Sequence, residues 1–124
     1  MKLLTHNVLT SKCIRGVTVG YPLLIKATNV KVSEVEFKPD FVAKVLPKIE
    51  WDVLANAAES LGHWQNLPKE LPNNYENDTD FLKKIHRVLL EVEVIQGELI
   101  CPESGRKFPI TNGIANMLLN EDEV

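Results

Sequence analysis

The residues with most capacity for chemistry lie in one short stretch, Cys101-Pro102-Glu103-Ser104-Gly105-Arg106. Set between two apolar runs, it has the spacing of half a zinc ribbon, where Cys-x-x-Cys followed by glycine points two thiolates at one metal ion. Here Ser104 stands in the second thiolate position. A serine hydroxyl stays protonated at neutral pH and offers a metal only a weak dipole. The chain contains just two cysteines, Cys13 and Cys101, too few for a four-thiolate site or a disulfide framework. His6, His63 and His86 stand at no ligand spacing from either cysteine, and His63 and His86 read as capping and half-buried packing residues. The expectation is a metal-free knuckle held by hydrogen bonds and packing. As a nucleophile, Cys101 would need a base in reach and a lowered pKa, and the sequence signals neither. It also carries no glycine-rich phosphate loop, no GxGxxG after a strand and no paired-carboxylate pattern. No catalytic residue is assigned.

Binding is the stronger signal. The run from Phe108 through Pro109, Ile110, Thr111, Asn112, Gly113, Ile114, Asn116, Met117 and Leu118 to Leu119 places many apolar groups in a terminal segment of a small domain. Core packing absorbs Phe108 and Ile110 readily. Met117, Leu118 and Leu119 are harder to absorb, and an edge strand with surplus apolar residues offers a patch for a partner, by side-chain burial or strand addition. The opening block Met1, Leu3, Leu4, Thr5, His6, Asn7, Val8 and Leu9 has the same character and is expected to lie beside the C-terminal strands.

Bulk properties narrow the class. With 124 residues, 44% hydrophobic and 25% charged, the chain is sized for one domain with one core. The formal charge of −3, with lysines and arginines scattered, disfavours unaided nucleic-acid binding. The apolar start is broken by His6, Asn7 and Thr10 before it reaches signal-peptide length, and no stretch approaches the ~20 apolar residues of a membrane span. The expected setting is cytoplasm and nucleus.

The elements that must position these residues follow from periodicity. Residues 22–35 alternate like a strand, with Ile25, Ala27, Val30 and Val32 inward. Pro39 and Asp40 open a helix that Pro47 stops, and a second runs from about Glu50 to Gly62. Residues 65–79 form a polar, proline-rich loop, with Asn77 or Asp78 capping the longest helix. That helix carries Phe81, Leu82, Ile85, Val88, Leu89 and Val92 as its apolar stripe. Strand alternation follows, with a turn at Gln96-Gly97, a returning strand to Cys101, a strand from Phe108 to Ile110, and a turn at Asn112-Gly113. The fold class is α+β: a small antiparallel β subdomain from both termini, residues 1–33 and 92–124, around a helical subdomain, residues 34–91.

Four blocks, MKLLTHNVL, VEFKPDFVAKVLPKIEW, FLKKIHRVLLEVEV and GELICPESGRKFPITNGIANMLL, together resemble the eukaryotic multi-methyltransferase activator subunits. The resemblance spans Met1 to about Leu119. It implies a zinc-ribbon-like half with a helical insertion and no catalytic activity. It also implies a heterodimeric role, pairing a strand with the sheet edge of S-adenosylmethionine-dependent methyltransferases that act on tRNA, rRNA and a translation release factor. S-adenosylmethionine is then bound by the enzyme, and this chain needs no cofactor. The four zinc-holding cysteines of metal-bearing members fall near Ser11, Gly16, Cys101 and Ser104, which implies the metal-free branch of the family. The implied interface comprises the N-terminal block and residues 108–119. Two other classes remain: a stand-alone RNA-binding ribbon module, which requires a basic face, and a thiol enzyme using Cys101.

Overall fold

The computed structural model describes residues 1–64, 68 and 70–123. Among the described residues, four α-helices and four strands follow in the order α1 (Leu3–Val8), β1 (Leu24–Val32), α2 (Pro39–Val45), α3 (Trp51–Ser60), α4 (Thr79–His86), β2 (Val92–Ile100), β3 (Lys107–Thr111) and β4 (Ile114–Ala115). The strands form one antiparallel sheet in the order β1-β2-β3-β4. The α+β class read from the sequence holds.

Local chemistry sets most boundaries. Pro39 occupies the first turn of α2, where its missing N–H costs nothing, and Pro47 confines the next turn to a short 3-10 segment, Leu46–Lys48. The chain leaves α3 through Gly62, whose φ of +78° favours a residue without Cβ. The Asp78 carboxylate accepts the Phe81 amide hydrogen at 3.1 Å and caps α4. The apolar stripe of α4 runs on through a π-helical turn, Arg87–Glu91, but ends one residue short of the expected limit, because Val92 already belongs to β2. The long-loop expectation falls partly on 65–67 and 69, outside the described residues. Its far end holds a 3-10 turn at Tyr75–Asn77, whose Tyr75 ring is buried.

Two apolar clusters result. One gathers Val42, Leu46, Leu54, Ala58, Phe81, Ile85 and Leu89 from the helices together with Leu3 of α1. The other gathers Ile14, Leu23, Val94, Leu99, Cys101, Phe108 and Ile110 around the sheet together with Met1. Ile25 and Leu61 pack against both.

Two sequence expectations are corrected. Gln96-Gly97 makes no turn; β2 runs unbroken from Val92 to Ile100. Gly97 instead lies opposite Ala27, and a Cβ there would stand 2.2 Å from the Lys26 carbonyl oxygen. The register of β1 slips beside it, between Ala27 and Val30. That bulge explains how Ile25 and Ala27 can share a side with Val30 despite the odd spacing. Val32, expected inward, is 43% exposed at the end of the strand.

Candidate partner-binding site

The site is a hairpin at one margin of the sheet. Strand β3 alternates strictly, with Phe108 and Ile110 buried and Lys107, Pro109 and Thr111 exposed. Asn112 at φ +52° and Gly113 at φ +77° turn the chain tightly, as Asn-Gly pairs do in two-residue hairpins, and β4 returns against β3. Since β4 is last in the sheet order, its outer margin carries no strand partner among the described residues. Ile114 of β4 is 70% exposed and Leu118 beyond it 80%, the two most exposed large apolar residues described. Met117 and Leu119 are half-buried and pack against the sheet cluster. Pro109, Ile114, Ala115, Met117 and Leu118 line an open groove of about 630 Å³.

The N-terminal residues hold this hairpin from behind. The Met1 ammonium donates to the carbonyls of Val94 at 2.6 Å and Gly113 at 2.5 Å, and the Val94 amide donates back to the Met1 carbonyl. Burial lowers its pKa from the ordinary 8.0, while the Glu93 carboxylate works in the opposite direction. Residues 1 and 2 thus do lie beside the late strands, with Lys2 bridging to Glu93. From Leu3 onward the chain turns away as α1, and Leu3 enters the helical cluster. His6 is 2% exposed, with Nε2 at 2.7 Å from the Leu23 carbonyl and Nδ1 without a partner. Desolvation lowers its pKa below the ordinary 6.5, and the contact with Leu23 partly offsets this. The Asn7 amide clasps the backbone of Glu50 in both directions at 3.0 Å, and the Tyr21 hydroxyl donates to the Asn7 carbonyl at 2.7 Å.

These positions revise the list of side chains read as partner-facing. Met1, Leu3, His6, Asn7, Phe108 and Ile110 are buried in the chain's own interior, so they shape the surface without forming it. Leu4 and Leu9 are half-buried against the helical and sheet clusters, and Gly113 is half-buried at the turn. Thr5, Val8, Pro109, Thr111, Asn112, Ile114, Asn116 and Leu118 are exposed. Ala115, inside the expected span 108–119 but not singled out there, contributes through its backbone, since it supplies half of β4.

The knuckle is assembled from loops far apart in sequence. The Ser11 hydroxyl donates to Cys101 Sγ at 3.0 Å, and the Ser104 amide donates to the same sulfur at 3.3 Å. Burial pushes the Cys101 thiol up, but hydrogen bonds from Ser104, Ser11 and the Glu103 backbone outweigh it and bring the pKa down to about 7. Cys101 is 1% exposed and part of the core, whereas Cys13 is exposed. The Glu103 carboxylate accepts from the amides of Thr18 at 3.2 Å, Val19 at 2.8 Å and Gly20, and from the Thr18 hydroxyl at 3.1 Å. Those contacts hold its pKa below the usual carboxylate value, the Gly20 amide contributing most. Glu103 is exposed, and nothing in the sequence marked it, because the amides it meets lie in a loop far away along the chain.

A family model described as Trm112p-like protein matches residues 2–113. The chain belongs to the Trm112p-like family. Among Trm112p-like relatives, it is 56% identical to the multifunctional methyltransferase subunit TRM112-like protein of Mus musculus, over 99% of this chain and 98% of that one. It is 51% identical to TRM112 homolog A of Arabidopsis thaliana over the full length of both, and 28% identical to TRM112 of Saccharomyces cerevisiae over 96% of each. Among solved structures, a chain of the Mtq2-Trm112 complex of E. cuniculi, described as responsible for methylating the termination factor eRF1, aligns with a TM-score of 0.53. Identity there is 20% over 95% of both chains, so this likeness shows the Trm112p-like fold.

Proposed function

We propose that this chain is a non-catalytic activator subunit of S-adenosylmethionine-dependent methyltransferases that modify tRNA, rRNA and a translation release factor, working in cytoplasm and nucleus. The carrying observation is the hairpin β3–β4: an open strand margin flanked by Ile114 and Leu118 at 70% and 80% exposure, on a scaffold anchored by Met1. An edge strand supplies backbone donors and acceptors at fixed spacing, and flanking apolar side chains supply desolvation. The occupant that matches both is the edge of another sheet with its own apolar border. The names of the relatives, each a methyltransferase subunit, support an enzyme as that occupant. S-adenosylmethionine and the reacting groups then reside in the enzyme, and this chain acts by mass action, covering apolar surface that destabilises the enzyme alone.

The partner-facing set on this reading is Pro109, Thr111, Asn112, Ile114, Ala115, Asn116, Met117 and Leu118, with Thr5 and Val8 of α1 at its margin. Cys101 has the lowered pKa that the thiol-enzyme alternative needs, but at 1% exposure it is closed to a substrate, and nothing favours the RNA-binding alternative. Co-expression of a tRNA, rRNA or release-factor methyltransferase from the same organism with and without this chain is the test. Soluble, active enzyme only in the paired sample is expected. Equal solubility, cofactor affinity and turnover in both samples for every class tried overturns the proposal.

A further inference from the structure

Metal-bearing zinc ribbons are closed by one ion that ties two loops together through four ligands. The corresponding loops here, residues 9–21 and 101–106, carry a donor set that does not suit that ion. Cys101 supplies one sulfur, Ser11 and Ser104 supply neutral hydroxyls, and Gly16 has no side chain. The Ser11 hydroxyl oxygen lies 3.0 Å from Cys101 Sγ, at hydrogen-bond distance from the sulfur. Among the described residues no group of three His, Cys, Asp or Glu side chains is placed to hold a metal.

A different cross-link spans the same gap. Glu103 stands on the second loop, yet its carboxylate accepts four hydrogen bonds from the first. Oε1 takes the Thr18 amide and hydroxyl, and Oε2 takes the Val19 and Gly20 amides. Successive amides converging on one anion form a concave nest of the kind that binds phosphate or carboxylate. The nest is kept in shape by Gly20, at φ +58°, where an added Cβ would stand 2.6 Å from the Ser11 hydroxyl oxygen. Ser11 in turn donates its amide to the Gly20 carbonyl at 2.9 Å. The second loop is closed by its own backbone, Cys101 amide to Arg106 carbonyl at 2.9 Å and Gly105 amide to Cys101 carbonyl at 3.0 Å.

We infer that the Glu103 carboxylate, seated in the Thr18–Gly20 amide nest and backed by the Ser11–Cys101–Ser104 hydrogen bonds, closes this ribbon in place of zinc. Cys101 ties the second loop to the sheet cluster against which Met117 and Leu119 pack, so the clamp and the proposed docking hairpin share one support. The inference does not depend on the identity of the partner, only on the geometry of the two loops.

The test uses the purified full-length chain. Wild type is expected to carry far less than one zinc per chain by elemental analysis, and to melt at the same temperature with and without a strong chelator. Glu103→Ala is expected to lower the melting temperature by about 3 °C or more. It is also expected to speed hydrogen exchange at Thr18, Val19 and Gly20 by roughly tenfold while leaving α4 amides unchanged. Glu103→Gln keeps an acceptor oxygen, recovers part of both effects, and keeps the test usable should the alanine variant fail to fold. Stoichiometric zinc, or a chelator-induced drop in the wild-type melting temperature, overturns the inference in favour of a metal. Unchanged exchange at the three amides in a folded Glu103 variant overturns it as well.

Discussion

Leu118→Ala separates the proposed role of the hairpin from its place in the fold. Leu118 is 80% exposed, so the isolated chain gains almost nothing from its side chain. Truncation should shift its stability by no more than about 0.5 kcal/mol. Fully burying a leucine contributes about 1.5–3 kcal/mol, and with four-fifths of that gain still unused and Cβ retained, about 1–2 kcal/mol falls to the heterodimer. That corresponds to roughly 5- to 30-fold weaker binding. A competition assay reads this ratio without a soluble free enzyme: limiting methyltransferase is co-expressed with equal amounts of wild-type and variant chains, and mass spectrometry counts each in the purified complex. Phe108→Ala is the opposite control, since its ring is fully buried and its loss costs the fold about 3–5 kcal/mol. Equal capture of wild type and Leu118→Ala, or a melting temperature several degrees lower for the isolated variant, refutes the reasoning.

Other perturbations have equally definite outcomes. Gly97→Ala forces a Cβ to 2.2 Å from the Lys26 carbonyl oxygen at φ +156°, so chemical denaturation should show a loss of at least about 2 kcal/mol. Asp78→Ala removes the cap of α4, and urea melts should register a loss of about 1 kcal/mol with an unchanged m-value. His6 is held neutral by burial, with its folded pKa below the unfolded 6.5. Its contribution is therefore complete above pH 6.5 and is lost as pH falls through the folded value, at a slope of at most about 1.4 kcal/mol per pH unit. The stability difference between wild type and His6→Gln should shrink over that acid range, and a constant difference would contradict the assignment.

The parts of the molecule legible in the sequence are those governed by local rules. Pro39, Pro47, Gly62 and Asp78 mark helix limits because their backbone or capping chemistry acts within a few residues. Asn112-Gly113 marks the hairpin for the same reason. Gly97 was misread because its role is set by β1, some seventy positions earlier; the sequence shows the missing side chain but not the strand that takes its space. Helix α1 escaped notice because LLTHNV has no side-chain cap and only six residues, and it forms where Leu3 can reach the helical cluster. At the candidate site, the excess of apolar residues near the C-terminus was visible. Their sorting into buried Phe108 and Ile110 and exposed Ile114 and Leu118 depends on which face of the sheet lies against the core. Glu103 was invisible because its partners are backbone amides 83 to 85 positions away.

The two margins of the sheet are unlike. On β1 the backbone is interrupted by a bulge and bordered by Lys26 and Lys31, features that discourage a neighbouring strand. On β4 the margin is open but only two residues long, too short for two copies of the chain to zip into a stable pair through it. With one seat per molecule, the proposed clients must take turns. The supply of this small chain then becomes a shared quota, and overproducing one methyltransferase should starve the others of activity although no direct contact links them.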